Sequence, residues 1–211
     1  MNGHTEDLNP GAPTVPRPAA SVILLRRGGR HRSSGLEVLL GKRTSSASFM
    51  ANAWVFPGGA VDPTGSEPAE ADYRATALRE LEEEVSVQLE DPDGLVPFSR
   101  WITPAEVTVR FDTWFFVLEA PEGAEAVPDG SECVEARWLT PQAALDGGGR
   151  AELMLVFPTI KHLEALAEFE SVEHALETAR GRKVEPIQPR VVVGEDSAQV
   201  LLPGEPGYDD A

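Results

Sequence analysis

The residues best suited to chemistry lie in one short acidic run, 79–85, whose sequence is Arg-Glu-Leu-Glu-Glu-Glu-Val. On a helix, residues three and four positions apart share a face, so Glu80, Glu83 and Glu84 converge on one patch. Carboxylates at this spacing repel one another and slightly destabilise an isolated helix. A divalent cation reverses that effect, because Mg²⁺ and Mn²⁺ take carboxylate oxygens as ligands. The spacing therefore predicts a metal site, with a solvated acidic helix face as the alternative.

Two features favour the metal site over a solvated face. Arg79 lies next to the carboxylates as a counter-charge, and Leu81 and Val85 place the opposite face of the helix in the core. Upstream, the short apolar strand 54–56 is stopped by Pro57-Gly58-Gly59. Paired glycines after a buried strand let the backbone pass close to another group and turn its carbonyls toward it. The glycine pair therefore supports a binding site beside the acidic helix.

The spacing of apolar residues predicts the elements that position these groups. Apolar side chains recur every four positions from 73 to 85, which predicts a helix over 69–85. Strands are predicted at 19–26, 36–43, 54–56, 98–102, 107–118 and 132–139, and a terminal hairpin pairs 190–193 with 200–202 through a turn at 194–196. Further helices are predicted to begin at Thr140-Pro141 and to span 158–169 and 172–180. The mixture predicts an α/β fold, an α/β/α sandwich on a mixed β-sheet.

The chain has 211 residues, which is enough for one well-buried domain with appendages. Residues 1–18 are rich in Pro, Gly and Asn, and this composition predicts a disordered N-terminal arm. Residues 19–148 then form the main domain. Residues 149–211 are predicted to be a helical and hairpin extension packed on the same domain.

Two runs carry a family resemblance: Phe-Pro-Gly-Gly-Ala-Val-Asp at 56–62 and Ala-Leu-Arg-Glu-Leu-Glu-Glu-Glu-Val-Ser-Val at 77–87. Together they resemble the Nudix box, whose pattern is Gly, five residues, Glu, seven residues, and then Arg-Glu-aliphatic-any-Glu-Glu-any-Gly-aliphatic. Gly58-Gly59 match the glycine pair, and the helical part is matched by Arg79, Glu80, Leu81, Glu83, Glu84 and Val87. The resemblance implies a Nudix-type sandwich and a metal-dependent hydrolase that cleaves a diphosphate bond in a nucleotide-like molecule.

Two positions depart from the family pattern. The family glycine near the end of the helix is Ser86 here, and we expect the helix to continue through it, since Ser tolerates a helical conformation. The loop before Arg79 is also longer than the pattern, so the first family Glu has no match in register. Ala71 lies eight residues before Arg79, and Glu70 is its neighbour. This second departure affects the loop more than the chemistry, because the helix carboxylates matter more for metal binding in the family.

The resemblance also implies roles for individual residues. The cofactor is Mg²⁺ or Mn²⁺, held by Glu80, Glu83, Glu84 and the Gly58 carbonyl. Arg79 orients the glutamates. The general base is left open between Glu83 and a loop residue such as Glu132, for which an exposed glutamate at a strand start is the alternative. By this resemblance, the bound cation would neutralise the charge of the carboxylates and the phosphate, polarise phosphorus and lower the pKa of the attacking water.

The substrate is suggested by the runs 43–63 and 110–121, which are most similar to the acyl-CoA diphosphatase branch of the superfamily. That similarity implies coenzyme A or an acyl-CoA. The substrate-binding candidates are Arg43, Arg110 and Gly59, and Lys161-His162 near a helix start is a further candidate for phosphate. An ADP-ribose, NADH or nucleoside triphosphate pyrophosphatase would use the same box with a different pocket. A non-catalytic nucleotide-sensing Nudix module is the alternative of another class, and the intact glutamates argue against it.

The amino-acid composition limits the classes of partner that this protein can bind. The formal net charge of −17, from 35 acidic and 18 basic residues, argues against nucleic acid or an anionic membrane as a partner. The expected partner is the small-molecule substrate, with a homodimer left open.

The single cysteine, Cys133, excludes an internal disulfide framework and fits a reducing cytosol. The N-terminus has no signal-peptide pattern, and no apolar run approaches the roughly 20 residues that cross a bilayer. A cytoplasmic protein is therefore expected.

Overall fold

The structure is a computed structural model that describes residues 8–9, 11–28, 35–62, 67–89, 91–194 and 198–209. Its strands are β1 Arg17–Arg27, β2 Leu36–Arg43, β3 Trp54–Val55, β4 Gly58–Ala60, β5 Val96–Ile102, β6 Phe111–Glu119, β7 Cys133–Leu139, β8 Pro186–Ile187, β9 Arg190–Val193 and β10 Ala198–Leu201. Its helices are α1 Glu70–Val85, α2 Pro141–Gly149, α3 Phe157–Ala167 and α4 Val172–Arg180, and Pro92–Gly94 forms a single 3-10 turn.

Strand β1 lies at the centre of the larger sheet. It runs antiparallel to β2 and β4 and parallel to β6, with which it pairs from Arg17↔Phe111 to Leu25↔Glu119. The sheet order is β3-β2-β1-β6-β5-β8, and β7 adds to β2. Every residue from 19 to 25 is buried, as expected for a strand covered on both faces. The sheet is therefore mixed, and β9 and β10 form a separate two-stranded hairpin.

Two hydrophobic cores lie on opposite faces of this sheet. Because successive side chains of a strand point to opposite faces, Ile23 and Leu25 enter one core, and Val22 and Leu24 enter the other. Helix α1 covers the second core with Ala77, Leu81 and Val85. The first core is covered by α2, α3 and α4, through Ala144, Leu163, Leu166, Ala175 and Leu176. The predicted α/β/α sandwich on a mixed sheet is confirmed.

Several element boundaries differ from the sequence prediction. β6 begins at Phe111 instead of residue 107, because Val107 forms an isolated bridge with Leu8. Residues 58–60, where the glycine pair was expected to stop the preceding strand, form strand β4, and the two-residue strand β8 was not predicted. The turn predicted at 194–196 lies mostly outside the described residues. These differences concern pairings with residues that are distant in the sequence.

The predicted disordered arm, 1–18, is only partly described. Of its described residues, Arg17 and Pro18 belong to β1, so the boundary at residue 18 lies too late. Asn9 donates to the Glu106 carbonyl at 2.7 Å, and the Thr14 hydroxyl donates to the Thr108 carbonyl at 3.0 Å. This part of the arm packs along the loop that precedes β6. The division into domains otherwise stays a prediction.

Helix α1 ends one residue before the position where we expected it to continue. Ser86 has φ 58° and ψ 24°, a left-handed conformation, and its amide donates to the Glu82 carbonyl. The Ser86–Glu82 bond is the closing bond of an αL-type helix end, and Val87 then donates to the Leu81 carbonyl at 3.4 Å. The expected continuation is therefore wrong. Ser86 occupies the backbone conformation that glycine adopts most easily.

Within the described residues, none of the helices combines the length and the apolar character that a membrane crossing requires.

Candidate functional site

The site forms where α1 crosses the short strand β4. The Gly58 amide donates to Glu84 Oε2 at 3.1 Å. The two residues that flank β4 bond to β1: the Val22 amide donates to the Pro57 carbonyl, and the Val61 amide donates to the Pro18 carbonyl. Because ladder bonds alternate along an antiparallel strand, the Gly58 carbonyl also faces away from β1, toward the acidic helix.

The glycine pair is required by close packing. A Cβ at Gly59 would collide with the Glu80 carboxylate, and a Cβ at Gly58 would collide with the Ala20 carbonyl of β1. A larger residue at Gly59 would displace the Glu80 carboxylate, and a larger residue at Gly58 would force β4 away from β1. Gly59 therefore lets β4 lie against Glu80, and Gly58 lets β4 pair closely with β1 while its amide meets Glu84.

Arg79 connects two of the three predicted carboxylates. Its guanidinium donates to Glu80 Oε1 at 2.7 Å and to Glu83 Oε2 at 2.6 Å. Glu80 is buried, whereas Glu83 is largely exposed. Glu82 points elsewhere and accepts a hydrogen bond from Gln88 Nε2 at 2.6 Å. The predicted helix register is therefore the one observed.

A loop before β7 closes the other side of the site. Glu80, Glu83 and Glu84 line a cavity of about 210 Å³ together with three residues of this loop, Asp129, Ser131 and Glu132. Glu132 was a sequence candidate, whereas Asp129 and Ser131 were missed. The run Pro128-Asp129-Gly130 is a typical turn sequence, which could have indicated an ordered loop.

The cavity is strongly unfavourable for negative charge. Burial raises the pKa of Glu84 to about 8; the Gly58 amide and the charge of Arg43 oppose this rise, and Glu80 and Glu132 add to it. Burial also raises the pKa of Glu80, against the opposing effect of Arg79. A cation at this place would offset both effects by neutralising the carboxylates.

Asp129 differs from these two glutamates. Burial by itself would raise its pKa, but hydrogen bonds from Ser131 and from the backbone amides of Cys133, Glu132 and Ser131 outweigh that effect and lower it to about 2. Asp129 is therefore an ionised carboxylate that already has several donors.

The donor set fits a hard cation in kind, because carboxylate and carbonyl oxygens are the ligands that Mg²⁺ and Mn²⁺ prefer. Among the described residues, no set of three His, Cys, Asp or Glu side chains is arranged to hold a metal ion as it stands. The reason is local: Arg79 binds Glu80 and Glu83, and Glu84 faces the Gly58 amide.

The substrate-binding candidates occupy different places. Arg43, at the end of β2, lies close enough for its charge to act on Glu84, and its Nε donates to the Phe49 carbonyl at 3.1 Å. Arg110 is buried and donates to the carbonyls of Thr103 and Thr14, which favours a structural role. The structure thus brings Arg43 and Gly59 to the site, and it gives Arg110 other partners.

His162 is also unsuited to bind phosphate. It is buried against the rings of Phe56, Phe98, Trp101 and Phe115, and its Nε2 lies 2.6 Å from the Ser99 hydroxyl. This burial lowers its pKa to about 3, so the ring is neutral. Its neighbour Lys161 pairs with Glu164.

Glu70, the neighbour of the unmatched family position, pairs with Arg74 on α1.

Comparisons with known proteins agree with this geometry. The NUDIX domain family model matches residues 15–157. The chain is 27% identical to nudix hydrolase 7 of Caenorhabditis elegans over an alignment of 228 positions, which covers 92% of this chain and 75% of that protein. It is 26% identical over 201 residues to the acyl-coenzyme A diphosphatase NUDT19 of Homo sapiens, covering 70% of this chain but only 54% of that protein.

A solved structure shows the same fold. The NUDIX hydrolase from Alicyclobacillus acidocaldarius has a TM-score of 0.66 and 24% identity, and the match covers 78% of this chain and 96% of that one. The family model spans more than half of the chain, and its range contains both the glycine pair and the acidic helix. The chain therefore belongs to the Nudix family of hydrolases.

Proposed function

We propose that this chain hydrolyses the diphosphate linkage of coenzyme A or an acyl-CoA with the help of Mg²⁺ or Mn²⁺. The observation that carries the hydrolytic part is the buried Glu84, which lies beside Glu80 and against the Gly58 backbone in an acidic cavity. Glu80, Glu83, Glu84 and the Gly58 carbonyl would hold the cation. When bound, the cation supplies charge neutralisation for the diphosphate and a more acidic water.

The side chains around this site supply orientation and proton transfer. Arg79 holds Glu80 and Glu83 through two charge-assisted hydrogen bonds, which limits the directions their oxygens take. Gly59, a substrate-binding candidate, leaves room beside β4 for the Glu80 carboxylate. A water next to the carboxylates would lose its proton to Glu83 or to Glu132, both of which line the cavity.

The choice of coenzyme A rests on sequence similarity. The runs 43–63 and 110–121 resemble the acyl-CoA diphosphatase branch, and one matched relative carries that name. Of the two arginines proposed to bind substrate, Arg43 is the better placed, because its charge acts on Glu84 whereas Arg110 donates to the Thr103 and Thr14 carbonyls. We propose that Arg43 contacts a phosphate of the substrate.

A comparison of CoA with dephospho-CoA tests the substrate. A 3′-phosphate that meets a Lys or Arg contributes roughly 1.5–3 kcal/mol when partly desolvated. We therefore expect kcat/KM for CoA to exceed that for dephospho-CoA by about tenfold or more, at matched ionic strength and metal concentration. Products are identified by mass, and ADP-ribose, NADH and nucleoside triphosphates are assayed in parallel.

Two variants sharpen this test. Arg43→Ala should lower kcat/KM for every diphosphate substrate, whereas Arg150→Ala, which removes an exposed arginine paired with Glu152, should not. Equal rates for CoA and dephospho-CoA, with faster cleavage of ADP-ribose or NADH, would rule out coenzyme A and leave the hydrolase intact. Binding of a nucleotide without any turnover would favour the sensing module.

A further inference from the structure

Within the proposed function, on which this inference rests, we propose that Asp129 is a positioning residue that holds Glu132 over the metal cavity. The two residues belong to the segment 127–133, which we call the clamp loop. The loop contributes Asp129, Ser131 and Glu132 to the cavity wall opposite α1.

The backbone of the clamp loop is attached to two elements of the site. The Val127 amide donates to the Val85 carbonyl at 2.9 Å, and the Asp129 amide donates to the Glu84 carbonyl at 3.0 Å. These carbonyls belong to the last turn of α1, where a helix has no internal donors left. On the other side, the Thr44 amide donates to the Glu132 carbonyl at 2.9 Å. The loop therefore has a fixed place relative to both α1 and the end of β2.

The Asp129 carboxylate orders the part of the loop that carries Glu132. It accepts the backbone amides of Ser131 at 2.9 Å, Glu132 at 3.0 Å and Cys133 at 2.7 Å, and it also accepts the Ser131 hydroxyl. Three consecutive amides held by one side chain leave the backbone at Glu132 little freedom. Because four donors occupy its oxygens, Asp129 is poorly available as a metal ligand itself.

This anchoring places Glu132 in the wall of the cavity that Glu80 and Glu84 also line. Its charge contributes to the raised pKa of both Glu80 and Glu84, so its carboxylate lies within electrostatic reach of the two buried glutamates. A proton acceptor must stay within hydrogen-bond reach of the water it activates. A loose loop would leave Glu132 near the site for only part of the time. Asp129 therefore acts through Glu132 and does not touch the substrate.

A double-mutant cycle tests this role. We expect Glu132→Gln to lower kcat strongly, and Asp129→Ala to lower kcat by about tenfold or more with a KM within about threefold of the wild type. The double variant should be no slower than Glu132→Gln alone, because Asp129 acts only through that residue. Independent, multiplying losses, or full activity of Asp129→Ala, would overturn the proposal.

Three further measurements separate positioning from folding and from the proposed function. Asp91→Ala is the matched control, because Asp91 accepts a hydrogen bond from the Asp93 amide in an exposed turn and does not line the cavity, so kcat should be unchanged. Asp129→Asn keeps one acceptor oxygen and should restore part of the activity if Asp129→Ala is unstable. Faster amide exchange at Glu132 and Cys133 in Asp129→Ala should accompany the loss, and unchanged exchange would contradict the anchoring. A wild-type protein that cleaves no diphosphate would refute the proposed function. An active wild type together with a Glu132→Gln variant of equal activity would refute only this inference.

Discussion

Glu82 and Glu84 lie two positions apart on α1, yet their environments differ completely. Glu84 is buried, its pKa is raised to about 8 by that burial, and it accepts the Gly58 amide. Glu82 is exposed and bonds to Gln88. At the scale of single residues, the helix period thus decides which carboxylate enters the site.

We expect Glu83→Gln and Glu84→Gln to lower kcat by orders of magnitude, because each keeps the helix but removes a charged oxygen ligand. Glu82→Gln should be nearly silent. The measurement is steady-state kinetics at saturating Mg²⁺ or Mn²⁺, with circular dichroism as the check on folding. Equal damage from Glu82→Gln and Glu83→Gln would contradict the role assigned to each face of α1.

Ser86→Gly should stabilise the protein by about 0.5–1 kcal/mol, because Ser86 has φ 58° and glycine adopts this conformation without a Cβ penalty. Denaturant unfolding gives the free energy. The control is Ala75→Gly, at an exposed position inside the same helix, which should lose roughly 1 kcal/mol. Destabilisation by Ser86→Gly would show that the serine side chain supports the helix end.

At the scale of elements, the site depends on how closely β4 approaches α1. Strand β4 is held by β1, and α1 is held by the core on one face of the sheet. The separation of the two elements is therefore set by the sheet, and side chains must fit the space that remains. Only glycine fits at Gly58 and Gly59 without a shift.

Gly59→Ala should lower kcat by at least about tenfold with a small change in Tm. The added methyl group collides with the Glu80 carboxylate. That side chain can rotate to avoid the collision, but its carboxylate then leaves the site. Gly149→Ala is the matched control, because a Cβ there meets no atom within 4 Å. If Gly59→Ala kept full activity, the position of Glu80 would not matter for catalysis.

At the scale of the whole molecule, the net charge of −17 opposes the binding of a diphosphate. The acidic cavity adds to that opposition, since burial already disfavours ionised Glu80 and Glu84. A divalent cation reverses the local sign of the charge and gives the phosphate oxygens a partner. We therefore expect this acidic protein to bind an anionic substrate only when a metal is bound.

Activity should consequently disappear in excess EDTA and return when Mg²⁺ or Mn²⁺ is added back. The carboxylates alone offer no electrophile to the phosphate, so we expect at least a hundredfold loss, on the scale of a removed general catalyst. Turnover is measured with and without the chelator, and circular dichroism verifies that the fold persists. Undiminished turnover in EDTA would exclude the metal site.

The sequence by itself determined the parts of this protein that local chemistry controls. The four-residue apolar period placed α1, and the period also placed Glu80, Glu83 and Glu84 on one face, because helix geometry relates sequence spacing directly to direction. Strands β1 and β2 were predicted from their short runs of apolar residues. The glycine pair indicated that the backbone passes close to another group. Only the structure showed that this group is the Glu80 carboxylate.

Only the tertiary structure decided the features that depend on distant partners. It made residues 58–60 a strand through pairing with β1, attached the clamp loop to α1, and buried Arg110 and His162. It also set Ser86 in a left-handed conformation, because the chain must turn from α1 to bring Val87 into the core. No local pattern carries this information, since each outcome is fixed by atoms far away in the sequence that compete for the same space and the same hydrogen bonds.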